Sequence, residues 1–231
     1  VDNEQACSLA KLNVSGEYIY FQNGGWVDPI ALCSAYLSHP NITTNFGIEI
    51  DAIEGGDTRW LCKQSSTNTV FESDALVLAN GIGAKNYEQT RDLPLQAVRG
   101  QATYIDASST SSALDAVVMA QRSVFPQLRQ QHTVSASYRR DTSLEHSAAD
   151  DLENLAGLRH LFSEGIDQEY KAVGAKVALR CNSQDFLPVI GMVANKQEMT
   201  GAFAMLKRNA QAAITGSGKF QQNLYITSGH G

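Results

Sequence analysis

Asp74-Ala75-Leu76-Val77-Leu78-Ala79-Asn80-Gly81 is the stretch on which the fold turns. An apolar run without alternation, stopped by Asn-Gly, is the pattern of a strand covered on both faces, as in a parallel α/β sheet. Gly83 follows, but Asn86 stands where the third glycine of G-x-G-x-x-G would fall, so the turn is not a complete dinucleotide motif. Upstream, Thr69-Val70-Phe71 and the alternating Thr58 to Gln64 read as strands, Gly55-Gly56 as a turn, and the β-branched segment Asn41 to Glu54 as a further strand. Asp28-Pro29 opens a helix, because Asp accepts orphan backbone N–H bonds and Pro fits the first helical position. Ile30, Cys33 and Leu37 share one face of that helix, and His39-Pro40 ends it. The apolar run Tyr18-Ile19-Tyr20-Phe21 precedes it, stopped by Asn23-Gly24-Gly25.

The texture changes at Leu93-Pro94. Val98 to Ile105, Ala116 to Gln121, His132 to Tyr138 and Lys176 to Leu179 predict strands of a second, mainly antiparallel sheet. Ser147 to Phe162 predicts a helix with Leu152, Leu155, Leu158 and Phe162 on one stripe, opened by the capping-box-like Ser147-x-x-Asp150. Lys196 to Phe220 is weakly helical and runs into Gly216-Ser217-Gly218. Asn223 to Thr227 reads as a last strand before Ser228-Gly229-His230-Gly231. The class expected is α+β, derived from an α/β sheet, with parts at 1–92, 93–195 and 196–231.

Composition narrows the function classes. The 231 residues are 43% hydrophobic and 18% charged, the balance of a chain that buries a core. No run approaches the ~18 apolar residues of a membrane span, and no secretory signal opens the sequence. A net charge of −6 argues against holding nucleic acid by a global field, leaving only local basic surfaces. Cys7, Cys33, Cys62 and Cys181 are scattered, without C-x-x-C or His at ligand spacing, so reduced thiols in a cytoplasmic protein are expected, and no metal site. G-x-S-x-G and H-E-x-x-H are absent.

Two features carry chemistry. Arg180 ends the apolar Val177-Ala178-Leu179, just before the turn Asn182-Ser183-Gln184-Asp185. From a strand end, Arg can grip a carboxylate with two parallel N–H bonds. The other reading is an Arg that faces water or pairs with Asp185. The segment Ala116 to Arg140 holds Arg122, Arg129, Arg139, Arg140 and His132 with Phe125 and Tyr138 and no acidic residue. That mix can hold phosphates and stack a base. The alternative is a solvated face balanced by Asp141, Glu145, Asp150, Asp151 and Glu153.

Gly25-Trp26-Val27-Asp28-Pro29, Ala75 to Gly81, Val98-Arg99-Gly100-Gln101, and Leu179-Arg180 through Asp185-x-Leu187-Pro188-x-x-Gly191 occur in this order. Together they resemble the glycine oxidase, sarcosine oxidase and D-amino-acid oxidase class of FAD enzymes. Ala136-Ser137-Tyr138-Arg139-Arg140 and Ser228-Gly229-His230-Gly231 bring the likeness nearer to the FAD half of bifunctional tRNA wobble-uridine enzymes that make 5-methylaminomethyl-2-thiouridine. The resemblance implies a partial FAD-binding domain at 1–92, a substrate domain at 93–195 and a return segment at 196–231.

The resemblance also implies roles. Arg180 would clamp the substrate carboxylate, with Tyr138, Arg139 and Arg140 on the substrate. Ile48, on a strand, would meet the adenine with its backbone, Ala79, Asn80 and Gly81 would pass close to the FAD, and Gly229, His230 and Gly231 would begin the flavin-ring loop. The reaction implied is oxidative removal of the carboxymethyl group of 5-carboxymethylaminomethyl-(2-thio)uridine. The partners would be tRNA with a modified wobble uridine and an upstream S-adenosylmethionine-dependent methyltransferase domain, with no membrane. The family's opening G-x-G-x-x-G and closing flavin helix are not in this sequence, so it is expected to be a fragment that is inactive and holds no FAD by itself. A stand-alone glycine- or sarcosine-type amine oxidase and a non-catalytic module for tRNA or an acidic ligand are the competing readings.

Overall fold

The structure is a computed structural model that describes residues 1–55, 58–64, 69–158, 161–162, 170–214 and 216–231. The chain runs α1 (Asn3–Ala10), α2 (Pro29–Leu37), β1 (Ala52–Gly55), β2 (Trp60–Gln64), β3 (Thr69–Ser73), β4 (Leu76–Leu78), β5 (Leu95–Asp106), β6 (Val118–Met119), β7 (Ser123–Val124), β8 (Gln131–Ser135), α3 (Ala148–Leu158), β9 (Gly174–Ser183), β10 (Val189–Ala194), α4 (Lys196–Ala202) and β11 (Phe220–Ser228). Gly56 and the region 159–160 of the expected long helix lie outside the described residues.

Two compact units form, one of 1–44 with 98–179 and one of 45–97 with 180–231. This division differs from the boundaries at 92 and 195 read from sequence. The reason is visible in the first core, where Ala6 and Ala10 of α1, with Leu12 and Val14, pack on Ile105, Val134, Leu158 and Leu161. The opening segment thus belongs with the large sheet of the first unit, whose strand order is β6-β7-β8-β5-β9. Its β5–β8, β7–β8 and β6–β7 pairs are antiparallel, as the sequence predicts. Asp28 caps α2 as expected, accepting from the Ile30 N–H at 2.9 Å.

Helix α3 departs from its expected apolar stripe. Leu152 is 70% exposed, while Asp150, Asp151 and Asn154 are buried beside Gly157 and Leu158. Ser147 does cap it, its Oγ accepting from the Asp150 N–H at 3.3 Å. The buried face is polar because the strand under it is polar, as described below.

The second unit holds two three-stranded sheets, β1-β2-β3 and β10-β11-β4. Trp60, buried, donates its indole N–H to the Gln222 carbonyl at 3.0 Å and so ties the two together. Pairing of β4 with β11 is parallel, as the run at 76–78 predicts. Among the described residues, cover on both faces is not found. Leu78, Leu224, Ile226 and Val193 enter the core, whereas Val77, Tyr225 and Met192, which lie opposite one another across the strands, face outward with Val77 58% exposed. The strand expected from Asn41 is also shorter, starting at Ala52, so Ile48 sits half-buried in irregular chain and not on a strand.

Candidate functional site

In the second unit, three segments that sequence reasoning singled out separately come together at the carboxyl ends of the parallel strands β4 and β11. In open sheets with parallel strands, that end is where ligands are received. After β4, Ala79 and Asn80 are exposed and Gly81 turns at φ +58 into the 3-10 turn Gly81–Asn86. After β11, Gly229 and Gly231 take φ +76 and +95, values that favour glycine. The third segment is the end of β9. Asn182 bridges His230, and the Gly231 N–H donates to the Cys181 carbonyl at 3.0 Å.

A buried hydroxyl links all three. Ser228, 2% exposed, donates through Oγ to the Gly81 carbonyl at 3.2 Å and lies 3.4 Å from the Cys181 Sγ. His230 is exposed, its Nε2 2.9 Å from the Thr227 hydroxyl. Arg180 stands beside Cys181, exposed, with no ion pair or hydrogen bond among the described residues. Pairing with Asp185 does not occur. That carboxylate accepts instead from the Ser183 hydroxyl at 2.8 Å and the Leu187 N–H at 3.1 Å, which together hold it below the ordinary range. Arg180 therefore keeps its fork available for an anion.

The first unit carries a different constellation. Arg99, Gln101 and Thr103 alternate along β5, so all three face α3. Arg99, 3% exposed, donates to Asp150, to the Gln101 Oε1 at 2.9 Å, and to the Ser143 and Glu145 carbonyls at 2.8 and 2.7 Å. Gln101 and Thr103 both donate to Asp151, at 2.8 and 2.6 Å, and Asn154 donates to the Gln101 carbonyl at 2.8 Å. Burial pushes both carboxyls up, but the combined hydrogen bonds outweigh it. Ser137, Arg99 and Arg139 hold Asp150 below its ordinary value, and Thr103, His146 and Gln101 do the same for Asp151.

This network decides the fate of the basic stretch. Arg139 donates to Asp150 at 3.1 Å and pairs with Glu153, while Arg122 donates to Asn154 at 2.9 Å and pairs with Glu153. His132 is buried, its ring nitrogens 2.8 Å from the Phe125 carbonyl and 3.0 Å from the Ser111 hydroxyl. Arg122 and Arg139 are thus balanced by the neighbouring acids. Arg129 and Arg140 remain exposed, without an ion pair among the described residues. The Arg139 guanidinium, expected on the substrate, is paired with Asp150 and Glu153 within its own unit.

Tyr138 owes its direction to a bulge. Thr103 stands opposite Val134 and Arg99 opposite Arg139, so the 134–139 segment holds one residue more than its partner. Ser137 and Arg139 then face α3, and Tyr138, 50% exposed, and Arg140 face the other way. No sequence signal marked this. Ser228 and Cys181 also went unread, although a serine breaking the apolar alternation Leu224, Ile226 was the available clue. Among the described residues there is no His, Cys, Asp and Glu grouping able to hold a metal, and no helix long and apolar enough to cross a membrane.

A family model described as FAD dependent oxidoreductase matches residues 1–231. The tRNA 5-methylaminomethyl-2-thiouridine biosynthesis bifunctional protein MnmC of Pseudomonas syringae pv. syringae (strain B728a) is 32% identical over 235 residues, covering 98% of this chain and 35% of that protein. Its counterpart in Pseudomonas putida (strain W619) is 30% identical, covering 100% of this chain and 36% of that one. The chain spans about a third of the length of these relatives. Among solved structures, glycine oxidase from Geobacillus kaustophilus superposes with a TM-score of 0.58 at 16% identity over 79% of this chain and 42% of that one. Iminodiacetate oxidase from Chelativorans sp. BNC1 gives 0.56 at 17% identity over 78% and 43%. At such identities the likeness is one of fold.

Proposed function

Since this chain belongs to the FAD dependent oxidoreductase family, we propose that it supplies the carboxylate grip and the flavin-side turns of an enzyme that oxidises a secondary amine on a tRNA wobble uridine. The observation that carries this reading is the meeting of Gly81, Cys181–Asn182 and Gly229–Gly231 beside an unpaired Arg180. Turns at positive φ let backbone come close to a flat ligand, which fits the flavin end of FAD. Ala79, Asn80 and Gly81 would hold one side of it and Gly229, His230 and Gly231 the other. FAD, when bound, accepts the two electrons of the oxidation.

This chain's own residues do the rest. The Arg180 fork takes the carboxylate of a carboxymethylamino group in a bidentate grip, which fixes the methylene carbon between the amine and the carboxylate. Loss of two electrons and a proton set there, followed by water addition, releases glyoxylate and leaves an aminomethyl group. Support for tRNA as the carrier is the similarity to proteins named for tRNA 5-methylaminomethyl-2-thiouridine biosynthesis. Their description as bifunctional supports a methyltransferase portion elsewhere in the full-length gene product.

The test is anaerobic mixing of the full-length gene product with tRNA bearing 5-carboxymethylaminomethyluridine, and separately with glycine and sarcosine. Bleaching of flavin absorbance with stoichiometric glyoxylate from the tRNA alone is the expected result. Bleaching by the free amino acids alone assigns a small-molecule amine oxidase instead, and bleaching by none of them leaves a binding module.

A further inference from the structure

We infer that Ser228 is the positioning residue that holds the three segments of the flavin-side site in register, an inference that rests on the proposed function for its ligand but not for its geometry. A serine has one hydroxyl proton. With that proton given to the Gly81 carbonyl, the 3.4 Å contact to Cys181 requires the thiol to donate to the Ser228 Oγ. The order of donors is then Cys181 S–H to Ser228 O–H to Gly81 C=O. One buried hydroxyl thereby joins the turn after β4, the strand end that carries Arg180, and the last strand, at the point where Gly229 begins its left-handed turn.

The location sets this apart from ordinary core satisfaction. Leu224 and Ile226 precede Ser228 on the buried face of β11, and a third apolar side chain there would fill space but hold none of the three segments. Regular pairing ends at Leu78 in β4 and at Ser228 in β11, whereas Cys181 lies within β9, which runs to Ser183, so the hydroxyl ties the turn after β4 and the end of β11 to a strand that is already formed. Fixing their separation fixes how Gly81, Gly229 and Arg180 stand toward a common ligand. Ser228 touches neither substrate nor cofactor in this account; it acts through Gly81 and Cys181.

The experiment uses the full-length gene product and the substitutions Ser228→Ala, Ser228→Thr and Thr90→Ala. Thr90 is the control: equally buried in the same unit, it makes the same kind of bond, its hydroxyl donating to the Ala84 carbonyl at 2.5 Å. Two readouts are taken, the FAD dissociation constant by fluorescence titration and amide hydrogen exchange of Gly81 and Gly229–Gly231. Ser228→Ala is expected to weaken FAD about tenfold and to speed exchange in those segments by a similar factor, as loss of one hydrogen bond allows. Ser228→Thr restores both, and Thr90→Ala lowers Tm but moves neither. Unchanged FAD affinity and unchanged exchange in Ser228→Ala overturn the inference. If the wild type takes up no FAD, the proposed function fails, and exchange alone still decides the role of Ser228. Should Ser228→Ala not fold, Ser228→Cys, which keeps the shape with a weaker donor, carries the same expectations.

Discussion

Arg180 and Asp150 show how differently two charged residues can be used. Arg180 is exposed and unpaired among the described residues, because the carboxylate nearest in sequence, Asp185, is turned into its own loop. Arg180→Lys keeps the charge and loses the planar fork, and Arg180→Ala loses both. In the full-length protein, a grip made equally in ground and transition states makes the damage a raised KM; alignment of the methylene adds a fall in kcat. Steady-state kinetics on substrates with and without the carboxylate should show the Ala variant discriminating far less between them, and wild-type parameters for Arg180→Ala would sink the assignment. Asp150 is buried against Arg99, so Asp150→Ala strands a guanidinium and should cost about 3–5 kcal/mol in urea unfolding. Its folded pKa is lowered, so its contribution is fully present above the ordinary Asp value of about 3.9 and drains as pH falls through the lower folded value. Asp150→Asn should therefore flatten the acid limb of the stability curve, and superimposable limbs for the two proteins would count against this.

Elements that answer to local chemistry were legible in the sequence, and those that answer to partners were not. Asp28-Pro29 capped α2, the run at Leu76–Leu78 gave a strand paired in parallel, and β5, β9 and β11 cover the segments Val98 to Ile105, Lys176 to Leu179 and Asn223 to Thr227 that read as strands. The α3 stretch was read correctly at Leu155, Leu158 and Phe162, which pack on the first core, but Leu152 points outward. The buried Asp150, Asp151 and Asn154 went unread, because their burial is set by Arg99, Gln101 and Thr103 on a strand far away in sequence. The bulge before Arg139 was silent for the same reason: it exists to match two strands, and it alone turns Arg139 inward and Arg140 outward. At the site, the glycine turns were visible as types at strand ends and Arg180 as one near such an end, although β9 runs on to Ser183, whereas Ser228 and Cys181 acquire meaning only through contact. The bulge yields a prediction at this scale. Arg140→Glu in the full-length protein should lower the magnitude of the log–log salt slope of tRNA binding by ~0.7–0.9 with Tm unchanged. Arg139→Glu should lower Tm, because it sets a like charge against Asp150 and Glu153. Filter binding across a salt series, with thermal melts alongside, separates the two; an unmoved slope for Arg140→Glu returns that side chain to ordinary surface.

For the molecule as a whole, the two cores are separate. Ile105, Val134 and Leu158 anchor one, and Trp60, Leu224 and Ile226 the other. Each unit holds its own candidate residues, with Arg180 and the glycine turns in one and Tyr138 with Arg140 in the other. In the proposed function, what the site residues supply toward FAD is its flavin end. The pyrophosphate is the part of FAD that carries charge, and in dinucleotide-binding folds it is met by the N–H groups of a helix opened by G-x-G-x-x-G. That motif does not occur in these 231 residues, and Gly81-Ile82-Gly83 stops short of it at Asn86. Contacts to the ring edge alone leave two phosphates without matched donors, so the 231-residue chain expressed by itself should bind FAD more weakly than ~1 μM, short of the roughly 8.2 kcal/mol such affinity represents. Incubation with excess FAD followed by gel filtration reads this directly. A colourless protein is expected. A yellow one, carrying FAD in equal amount, would mean that the glycine turns and their neighbours hold the whole cofactor, and that the phosphates are met by residues outside any helix of the G-x-G-x-x-G kind.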